Sequence, residues 1–170
     1  MTAPTLQGDR VTLRPLADED LSPLLTILLQ PGVIEWWPGY DMSRLRADTF
    51  GSPDSTPLAI ELGGEFVGLI MFSEVTDPYY TSASIDIALD AEYLGRGLGS
   101  DAMRTLARHL FEERGHHRLS IDPALANERA IAAYRKVGFQ LVGVARAYEL
   151  GADGTWHDNL LMDMLPEDLR

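Results

Sequence analysis

The most informative segment of the sequence is Asn127-Glu128-Arg129-Ala130-Ile131-Ala132-Ala133-Tyr134-Arg135-Lys136-Val137-Gly138-Phe139. Asn127 and Tyr134 are seven residues apart, so in a helix they lie on the same face, about two turns from each other. The Gly138-Phe139 pair ends the helical pattern. This spacing predicts a helix over 128–137 that presents a polar pair along one side.

A glycine-rich segment precedes that stretch and reads Leu94-Gly95-Arg96-Gly97-Leu98-Gly99-Ser100. It follows an apolar run over 83–89 and precedes a helical pattern over about 100–114, for which Ser100 or Asp101 is the expected N-cap. Backbone amides at a helix N-terminus bind anions, and glycine lets a pyrophosphate approach the backbone closely. The spacing fits neither the dinucleotide fingerprint nor the lysine-containing phosphate loop, and ordinary turns also contain such glycines.

Taken together, the two segments resemble the GNAT superfamily of acetyl-CoA-dependent N-acetyltransferases, over about residues 8 to 165. The resemblance implies an α/β (α+β) fold with a mixed, mostly antiparallel central sheet, splayed middle strands that admit the cofactor, and flanking helices. It also implies that the glycine loop binds the pyrophosphate of CoA, that Asn127 contacts the pantetheine arm and that Tyr134 lies near the thioester sulfur. The cofactor-binding residues that we expect are Ile87, Ala88, Leu89, Leu94, Gly95, Arg96, Gly97, Leu98, Gly99, Ser100, Asn127, Ala130 and Lys136.

Length and composition are compatible with this resemblance. With 170 residues and 45% hydrophobic content, the chain has the size of one domain, 1–170, with a substantial core. No apolar run reaches membrane-spanning length and the N-terminus lacks the regions of a signal peptide, so we expect a soluble cytoplasmic protein. Family members often dimerise, which makes a homodimer one expected assembly.

Charge and cysteine content exclude several classes of function. A net charge of −12 argues against nucleic acid as a partner and favours a cationic substrate, although the same charge also serves solubility. The chain has no cysteine, which excludes disulfides, cysteine nucleophiles and thiolate metal sites. Its four histidines show no metal-ligand spacing, so we expect acetyl-CoA as cosubstrate and no metal.

The hydrophobic pattern predicts one mixed α/β unit without repeats. The elements are, in chain order, a strand over 10–14, a helix from an Asp18 N-cap through Leu29, a short helix over 43–50, a hairpin of 58–62 and 66–72 joined at Gly63-Gly64, a strand over 83–89, the helix after the glycine loop, a strand over 117–122, the helix over 128–137 and two final strands flanking 151–154.

Acetyl transfer to an amine requires a proton acceptor, because an alkyl amine with a pKa of about 10.4 is mostly protonated at neutral pH and cannot attack a thioester. Asp86 is the best candidate, since it lies on the face of its strand opposite Ile85 and Ile87, close to the glycine loop. A structural interpretation is equally open, in which Asp86 pairs with an arginine or caps a turn. A water chain is a further candidate acceptor, with Asp86 holding the ammonium group.

Two polar residues of the segment 127–139 also have two interpretations each. Tyr134 is expected to protonate the departing thiolate or to hydrogen-bond its sulfur, and its alternative role is packing in the core. Asn127 is well placed to be the N-cap of its helix, a role that can coexist with cofactor contact. A backbone amide of 87–89 is the expected donor to the thioester oxygen, because splayed strands leave such groups unpaired.

One departure from the superfamily pattern points to a subgroup. Many members carry Gln or Arg where this chain has Leu94, a loss for which Arg96 is the expected compensation. The form Leu-Gly-basic-Gly-Leu-Gly resembles the aminoglycoside 6'-N-acetyltransferase branch and related hydroxamate-siderophore lysine acetyltransferases. Three more features resemble the aminoglycoside branch, namely Glu35-Trp36-Trp37, Ile85-Asp86 and Asp122-Pro123.

Carried over residue by residue, that resemblance implies a catalytic Asp86, an ammonium ligand at Asp122, and a wall of Trp36 and Trp37 against a sugar ring, with Glu35 adding negative charge. Carboxylates and indole faces suit polycationic sugars. The alternatives are a hydrophobic plug for the paired tryptophans and a turn-forming Asp-Pro step for Asp122.

The C-terminal segment Asp153-Gly154-Thr155-Trp156-His157-Asp158 favours another substrate, because it resembles the branch that acetylates protein N-termini, including those of ribosomal proteins. It is also an ordinary Asp-Gly hairpin. The leading hypothesis is therefore acetylation of an aminoglycoside 6'-amine in a ternary complex. A protein N-terminus, a small polyamine or a lysine-like metabolite is the alternative acceptor, and a CoA-binding sensor module is the alternative outside enzymes.

Overall fold

A computed structural model describes residues 3–170, and within them every strand belongs to one sheet. The strands are β1 Leu6–Gln7, β2 Val11–Pro15, β3 Ser55–Leu62, β4 Glu65–Val75, β5 Ser82–Leu89, β6 Leu119–Ile121, β7 Gln140–Leu150 and β8 Trp156–Met164. The α-helices are α1 Leu21–Leu28, α2 Met42–Phe50, α3 Leu98–Glu112 and α4 Glu128–Val137. In the part of the chain described, no helix is long and apolar enough to cross a membrane.

The sheet is mixed and mostly antiparallel, with strand order β1-β2-β3-β4-β5-β6-β8-β7. Only β5 and β6 run parallel, and they pair through Ala83 with Leu119 and Ser84 with Ser120. Beyond Ser84, β5 continues to Leu89 while remaining paired with β4 on its other edge. The two middle strands therefore part after a short contact, which confirms the predicted fold class.

Alternation along the strands divides the core between the two faces of the sheet. On β3, Leu58 and Ile60 belong to the cluster that contains α3 and α4, whereas Ala59 between them belongs to the cluster of α1 and α2. On β5, Ile85 faces the first cluster and Ala88 the second. Because side chains alternate along a strand, Asp86 shares its face with Ala88, on the side of α1 and α2.

The central hairpin depends on glycine at its turn and along its strand. Gly63 and Gly64 both have positive φ, +59° and +88°, in the turn between β3 and β4, as the Gly-Gly pair predicts. A Cβ at Gly68 on β4 would collide with the carbonyl oxygen of Ala88 on β5. β4 therefore packs closely against one edge of β5, the strand that carries Asp86.

Two predicted helix caps are wrong. Asp18 lies in a 3-10 turn before α1 and its carboxylate pairs with Arg46, with Nη1 and Oδ1 2.6 Å apart. The helix after the glycine loop begins at Leu98, so Ser100 and Asp101 lie inside its first turn and Gly97 is the N-cap. Asp101 is buried, and its carboxylate accepts hydrogen bonds from the backbone amides of residues 9–11. The Asp101 carboxylate therefore binds a segment that is distant in sequence, and it is not the helix cap that the sequence predicts.

Candidate active site

A cavity of about 310 Å³, here called the cofactor cavity, opens where β5 leaves β6 and reaches the start of α3. Most residues predicted to contact the cofactor line it, namely Ile87, Ala88, Leu89, Leu94, Gly95, Gly97, Leu98, Gly99, Ser100, Asn127, Ala130 and Lys136. Sequence reasoning missed further lining residues, which are Gly32, Val33, Tyr93, Met103, Arg129, Ala132 and Ala133. The structure therefore brings the glycine loop, β5 and α4 to a single opening.

The glycine loop has the geometry that an anion site needs. Gly95 and Gly97 have φ of +74° and +80°, in the left-handed region that other residues rarely adopt. Gly97 directly precedes the 15-residue helix α3, so the unpaired amides of its first turn lie beside the cavity. At Gly99, an added Cβ would lie 3.1 Å from Leu89 Cδ1. The loop thus combines backbone donors with close packing against β5, which fits a pyrophosphate.

Arg96 is the predicted cofactor contact that does not line this cavity. Its guanidinium carbon lies 5.2 Å from the centre of the Tyr93 ring, a distance suited to a cation–π contact. Its carbonyl oxygen accepts a hydrogen bond of 2.5 Å from Arg10 Nη1. Through these contacts, Arg96 stabilises the glycine loop.

Asn127 serves as the N-cap of α4. Its Oδ1 accepts a 3.2 Å hydrogen bond from the backbone amide of Ala130, and the residue also borders the cofactor cavity. The Nδ2 atom is a further donor of the same side chain. The capping role and the predicted contact with the cofactor are therefore compatible.

A second cavity of about 300 Å³, here called the acidic cavity, lies beside the first. Its wall includes three carboxylate residues, Asp86, Asp122 and Glu149. Trp36, Trp37, Ile87, Asn127 and Tyr134 line both cavities. The two cavities therefore meet at the end of β5, next to the predicted base and the predicted acid.

The electrostatics of the acidic cavity favour proton transfer at Asp86. This carboxylate is in contact with solvent through the open cavity, but the surrounding walls desolvate it. Desolvation, followed by the charges of Asp122 and Glu149, raises the pKa of Asp86 to about 6. The ion pairs of residues 3–170 do not include Asp86. Near neutral pH it is thus a carboxylate with enhanced basicity.

The position of Tyr134 is compatible with both roles considered from the sequence. Its ring packs edge to face on Phe139, with the centroids 6.3 Å apart, and it borders both cavities. Burial, and then the negative charges of Asp86 and Asp122, raise the pKa of Tyr134 well above its ordinary value. The phenol therefore keeps its proton at neutral pH and is available as a donor.

The two tryptophans and Glu35 are not equivalent. Trp37 packs on the core cluster of α1 and α2, and its ring centroid is 5.7 Å from that of Tyr40. Both tryptophans are half-buried and border both cavities, but Trp36 is not among the described residues that pack on the core clusters. Glu35 does not line the acidic cavity; its Oε1 accepts a 3.2 Å hydrogen bond from the Gly32 amide, and it borders a third cavity of about 800 Å³.

Sequence reasoning missed several residues of the acidic cavity, which are Tyr40, Arg44, Tyr148, Glu149 and Asn159. A hydrogen bond to Asp122 raises the pKa of Tyr148 to about 12, so this phenol also stays protonated. The Arg44 guanidinium carbon lies 4.3 Å from the centre of the Tyr40 ring, and its Nη1 donates to the carbonyl oxygen of Pro38 over 2.8 Å. Arg44 therefore introduces one positive charge at the wall.

Comparison with known proteins identifies the family. Residues 21–139 match the family model described as the acetyltransferase (GNAT) family. The chain is 30% identical over 158 residues to aminoglycoside N(6')-acetyltransferase type 1 of Klebsiella pneumoniae, covering 82% of this chain and 78% of that protein. It is 27% identical over 139 residues to spermidine N(1)-acetyltransferase of Escherichia coli K12, covering 78% and 74%.

Two solved structures are similar over nearly the whole chain. Mycobacterium smegmatis RimJ in complex with CoA-disulfide has a TM-score of 0.83 and 28% identity, covering 98% of this chain and 89% of that one. AAC(6')-Ib in complex with Parmomycin and acetyl-CoA has a TM-score of 0.76 and 27% identity, covering 94% and 96%. With a splayed sheet, a glycine loop at a helix start and these relatives, the chain belongs to the GNAT family of acetyl-CoA-dependent N-acetyltransferases.

Proposed function

We propose that this enzyme transfers the acetyl group of acetyl-CoA to the 6'-amine of an aminoglycoside, by direct attack in a ternary complex. The observation that carries the proposal is the meeting of the two cavities. An apolar cavity with a helix N-terminus adjoins a cavity walled by Asp86, Asp122 and Glu149, and Tyr134 borders both cavities. A polyanionic cofactor and a polycationic acceptor suit these two environments.

In this proposal the amides of the glycine loop and the first turn of α3 hold the pyrophosphate, and Asn127 contacts the pantetheine arm. Ala130 and Lys136 of α4 line the same cavity. Bound acetyl-CoA supplies the thioester that the amine attacks. The edge of β5 over 87–89 has no β6 partner, and a backbone amide of that stretch is the proposed donor to the thioester oxygen.

Asp86 acts as the base. The acceptor enters as an ammonium ion, and the carboxylate removes a proton from its nitrogen so that the lone pair is free to attack. The raised pKa of Asp86, about 6, improves this transfer while leaving the group ionised at neutral pH. Tyr134, which its raised pKa has kept protonated, then donates its phenolic proton to the departing sulfur. The nitrogen loses its second proton as the amide forms and this proton restores the phenol, while Asp86 releases the first proton to solvent.

The aminoglycoside assignment rests on charge and ring surface together. Asp122 is proposed as a ligand of a second ammonium group, and its backbone carbonyl is fixed by a 2.8 Å hydrogen bond from Asn159 Nδ2. Trp36 and Trp37 offer indole faces at the junction of the cavities. A relative at 30% identity is named for acetylation of this class of acceptor, which supports the proposal.

The test is release of the CoA thiol from acetyl-CoA in one panel of acceptors, with kanamycin and tobramycin beside N-terminal peptides, lysine analogues and spermidine. Turnover of aminoglycosides that carry a 6'-amine, lost when that position is a hydroxyl, is the expected result. Turnover of a peptide or polyamine alone would overturn the aminoglycoside assignment and keep the acetyltransferase. CoA binding without turnover of any acceptor in the panel would favour a sensor module.

A polyamine is the second candidate acceptor, favoured by the three carboxylates of a cavity that has a single arginine at its wall. The relative named for spermidine acetylation supports the same class. A protein N-terminus is less favoured, because the carboxylate of Asp153 is engaged within its own hairpin by Thr155 and His157. That engagement gives the Asp-Gly segment a structural role.

A further inference from the structure

Glu149 stands at a passage between two cavities. It lines the acidic cavity together with Asp86, and it also lines the third cavity, of about 800 Å³, whose wall includes Glu35, Asp153 and Trp156. Trp36 borders both of these cavities as well. An acceptor whose reacting amine lies at Asp86 therefore passes between Glu149 and Trp36 if its body extends outward.

An irregularity in β7 brings Glu149 to this position. Ala145 is paired with Asn159 of β8 and Glu149 with His157, so four steps along β7 match two along β8. Inside this bulge Ala147 has φ of +48°, and its amide donates a 2.7 Å hydrogen bond to Asp158 Oδ1. A non-glycine residue in this region of φ costs free energy and persists where the surroundings hold it. The bulge redirects the strand beside the cavity.

Asn159 connects the carboxylates and leaves one acceptor atom free. Its side chain is 4% exposed, and its Nδ2 donates to the carbonyl oxygen of Asp122 over 2.8 Å and, more weakly, to Glu149 Oε2 over 3.4 Å. Within the described chain, its Oδ1 is buried without a hydrogen-bond partner. Through its Nδ2, Asn159 therefore links Glu149 to the backbone of Asp122. Asn159 lines the acidic cavity.

We propose that Glu149 is a specificity-determining residue that binds a second cationic group of the acceptor, one that does not react. This inference rests on the proposed transfer to a polycationic amine and assigns the selection to a named residue. An ammonium group between Glu149 and Trp36 gains a carboxylate and an indole face. An acceptor with a single amine gains none of these while its nitrogen is at Asp86. The enzyme therefore selects acceptors by a cation remote from the reacting nitrogen.

The experiment compares two acceptors that share the reacting group. Kanamycin carries several amines, and methyl 6-amino-6-deoxyglucoside carries only the reacting one. Glu149→Gln removes the charge with little change of shape, and we expect kcat/KM for kanamycin to fall about 10- to 100-fold, mainly through KM. The fall for the monoamine should be less than about threefold, so that the ratio between the two acceptors collapses.

Two variants separate selection from general damage. Glu149→Asp retains the charge on a shorter side chain and should recover part of the ratio. Glu167→Gln removes the same charge from an exposed position after β8 and should leave the ratio unchanged. An equal fall for both acceptors in Glu149→Gln, or no fall for either, would overturn the inference while leaving the proposed transfer intact.

Binding and a second acceptor pair keep this result distinct from a failure of the proposed function. If kanamycin is not acetylated but spermidine is, the same ratio is measured for spermidine against butylamine. If no amine is acetylated, calorimetry of kanamycin and spermidine with the CoA-loaded protein compares Glu149→Gln with the unchanged chain. Equal affinities would overturn the assignment of Glu149 in that case too, whereas about tenfold weaker binding would support it.

Discussion

The two cavities that meet at the end of β5 are lined by residues of different chemical character. The cofactor cavity is lined by glycines, apolar side chains of β5 and the start of α3, with Arg129 and Lys136 as its charged residues. The acidic cavity is lined by three carboxylates, three phenols and the pair of indoles. In the proposed function, the first cavity recognises its ligand mainly through backbone geometry and the second through side-chain charge. Changes in the two should therefore separate cofactor binding from acceptor binding.

The largest expected effect is at Asp86, where a single atom exchange removes the proposed base. Asp86→Asn should lower kcat about 10²- to 10⁴-fold, the usual range for general base catalysis. The cofactor cavity does not include Asp86, so the dissociation constant for CoA should change little. Steady-state kinetics and calorimetry measure the two quantities.

A pH profile checks that this loss belongs to proton transfer. Because the pKa of Asp86 is raised to about 6, activity of the unchanged enzyme should fall as the carboxylate is protonated below that pH. The acid limb should vanish in Asp86→Asn. An unchanged kcat at every pH would remove Asp86 from the mechanism.

The raised pKa of Asp86 favours catalysis but lowers the stability of the folded chain at neutral pH. The folded chain binds this proton more tightly than the unfolded chain. The free energy of unfolding therefore falls as pH rises from 3.8 to about 6, and it stays at the lower value at higher pH. Asp86→Asn should therefore unfold at a higher temperature than the unchanged chain at pH 7.5. Differential scanning calorimetry measures this shift, which should disappear at pH 3.5.

The next effect is at Tyr134, where the ring and the hydroxyl have separate tasks. Tyr134→Phe keeps the contact with Phe139 and removes the proposed proton donor, so kcat should fall about 10- to 100-fold while the protein remains folded. Acetyl-CoA binding and circular dichroism are the controls. If acetyl transfer and CoA binding both continue unchanged, the role of general acid is wrong.

A smaller effect is expected at the indoles, and here the structure separates the neighbours. Trp36→Ala should raise KM for the amine about tenfold and KM for acetyl-CoA less. Trp37 packs on the core of α1 and α2, so Trp37→Ala should also lower the unfolding temperature. A larger change in KM for acetyl-CoA than for the amine would assign Trp36 to the cofactor side.

The smallest effect is that of salt on the acidic cavity. Raising ionic strength from about 50 to 300 mM should raise KM for a polycationic amine about threefold, since screening weakens the attraction of exposed carboxylates. KM for a monoamine should change less. A KM independent of salt would argue for an acceptor of low charge.

How far the sequence predicts this molecule depends on how local each feature is. The helix over 128–137 is confirmed with its cap at Asn127, because capping residue, periodicity and terminal glycine all lie within one short stretch. The hairpin at Gly63-Gly64 and strand β5 are confirmed for the same reason. The short edge strand β1 has too few residues for a periodic signal.

On the acceptor side, strand alternation and the family resemblance both predict Asp86, whereas Asp122 is predicted by the resemblance alone. The sequence gives no comparable signal for Tyr148 and Glu149. Their entry into the acidic cavity depends on the bulge between Ala145 and Glu149, which breaks the alternation from which a strand's faces are inferred. The Asp18 and Asp101 errors have a related cause, since each carboxylate has a partner far away in sequence.

Asp101 also sets an order of events during synthesis. Its carboxylate accepts the backbone amides of residues 9–11 across sequence separations of 90 to 92 residues. A chain emerging from the ribosome therefore produces its first strands long before the group that anchors them, and contacts of such separation form slowly. The edge of the sheet that is translated first is thus secured late, and by the helix that begins at the glycine loop.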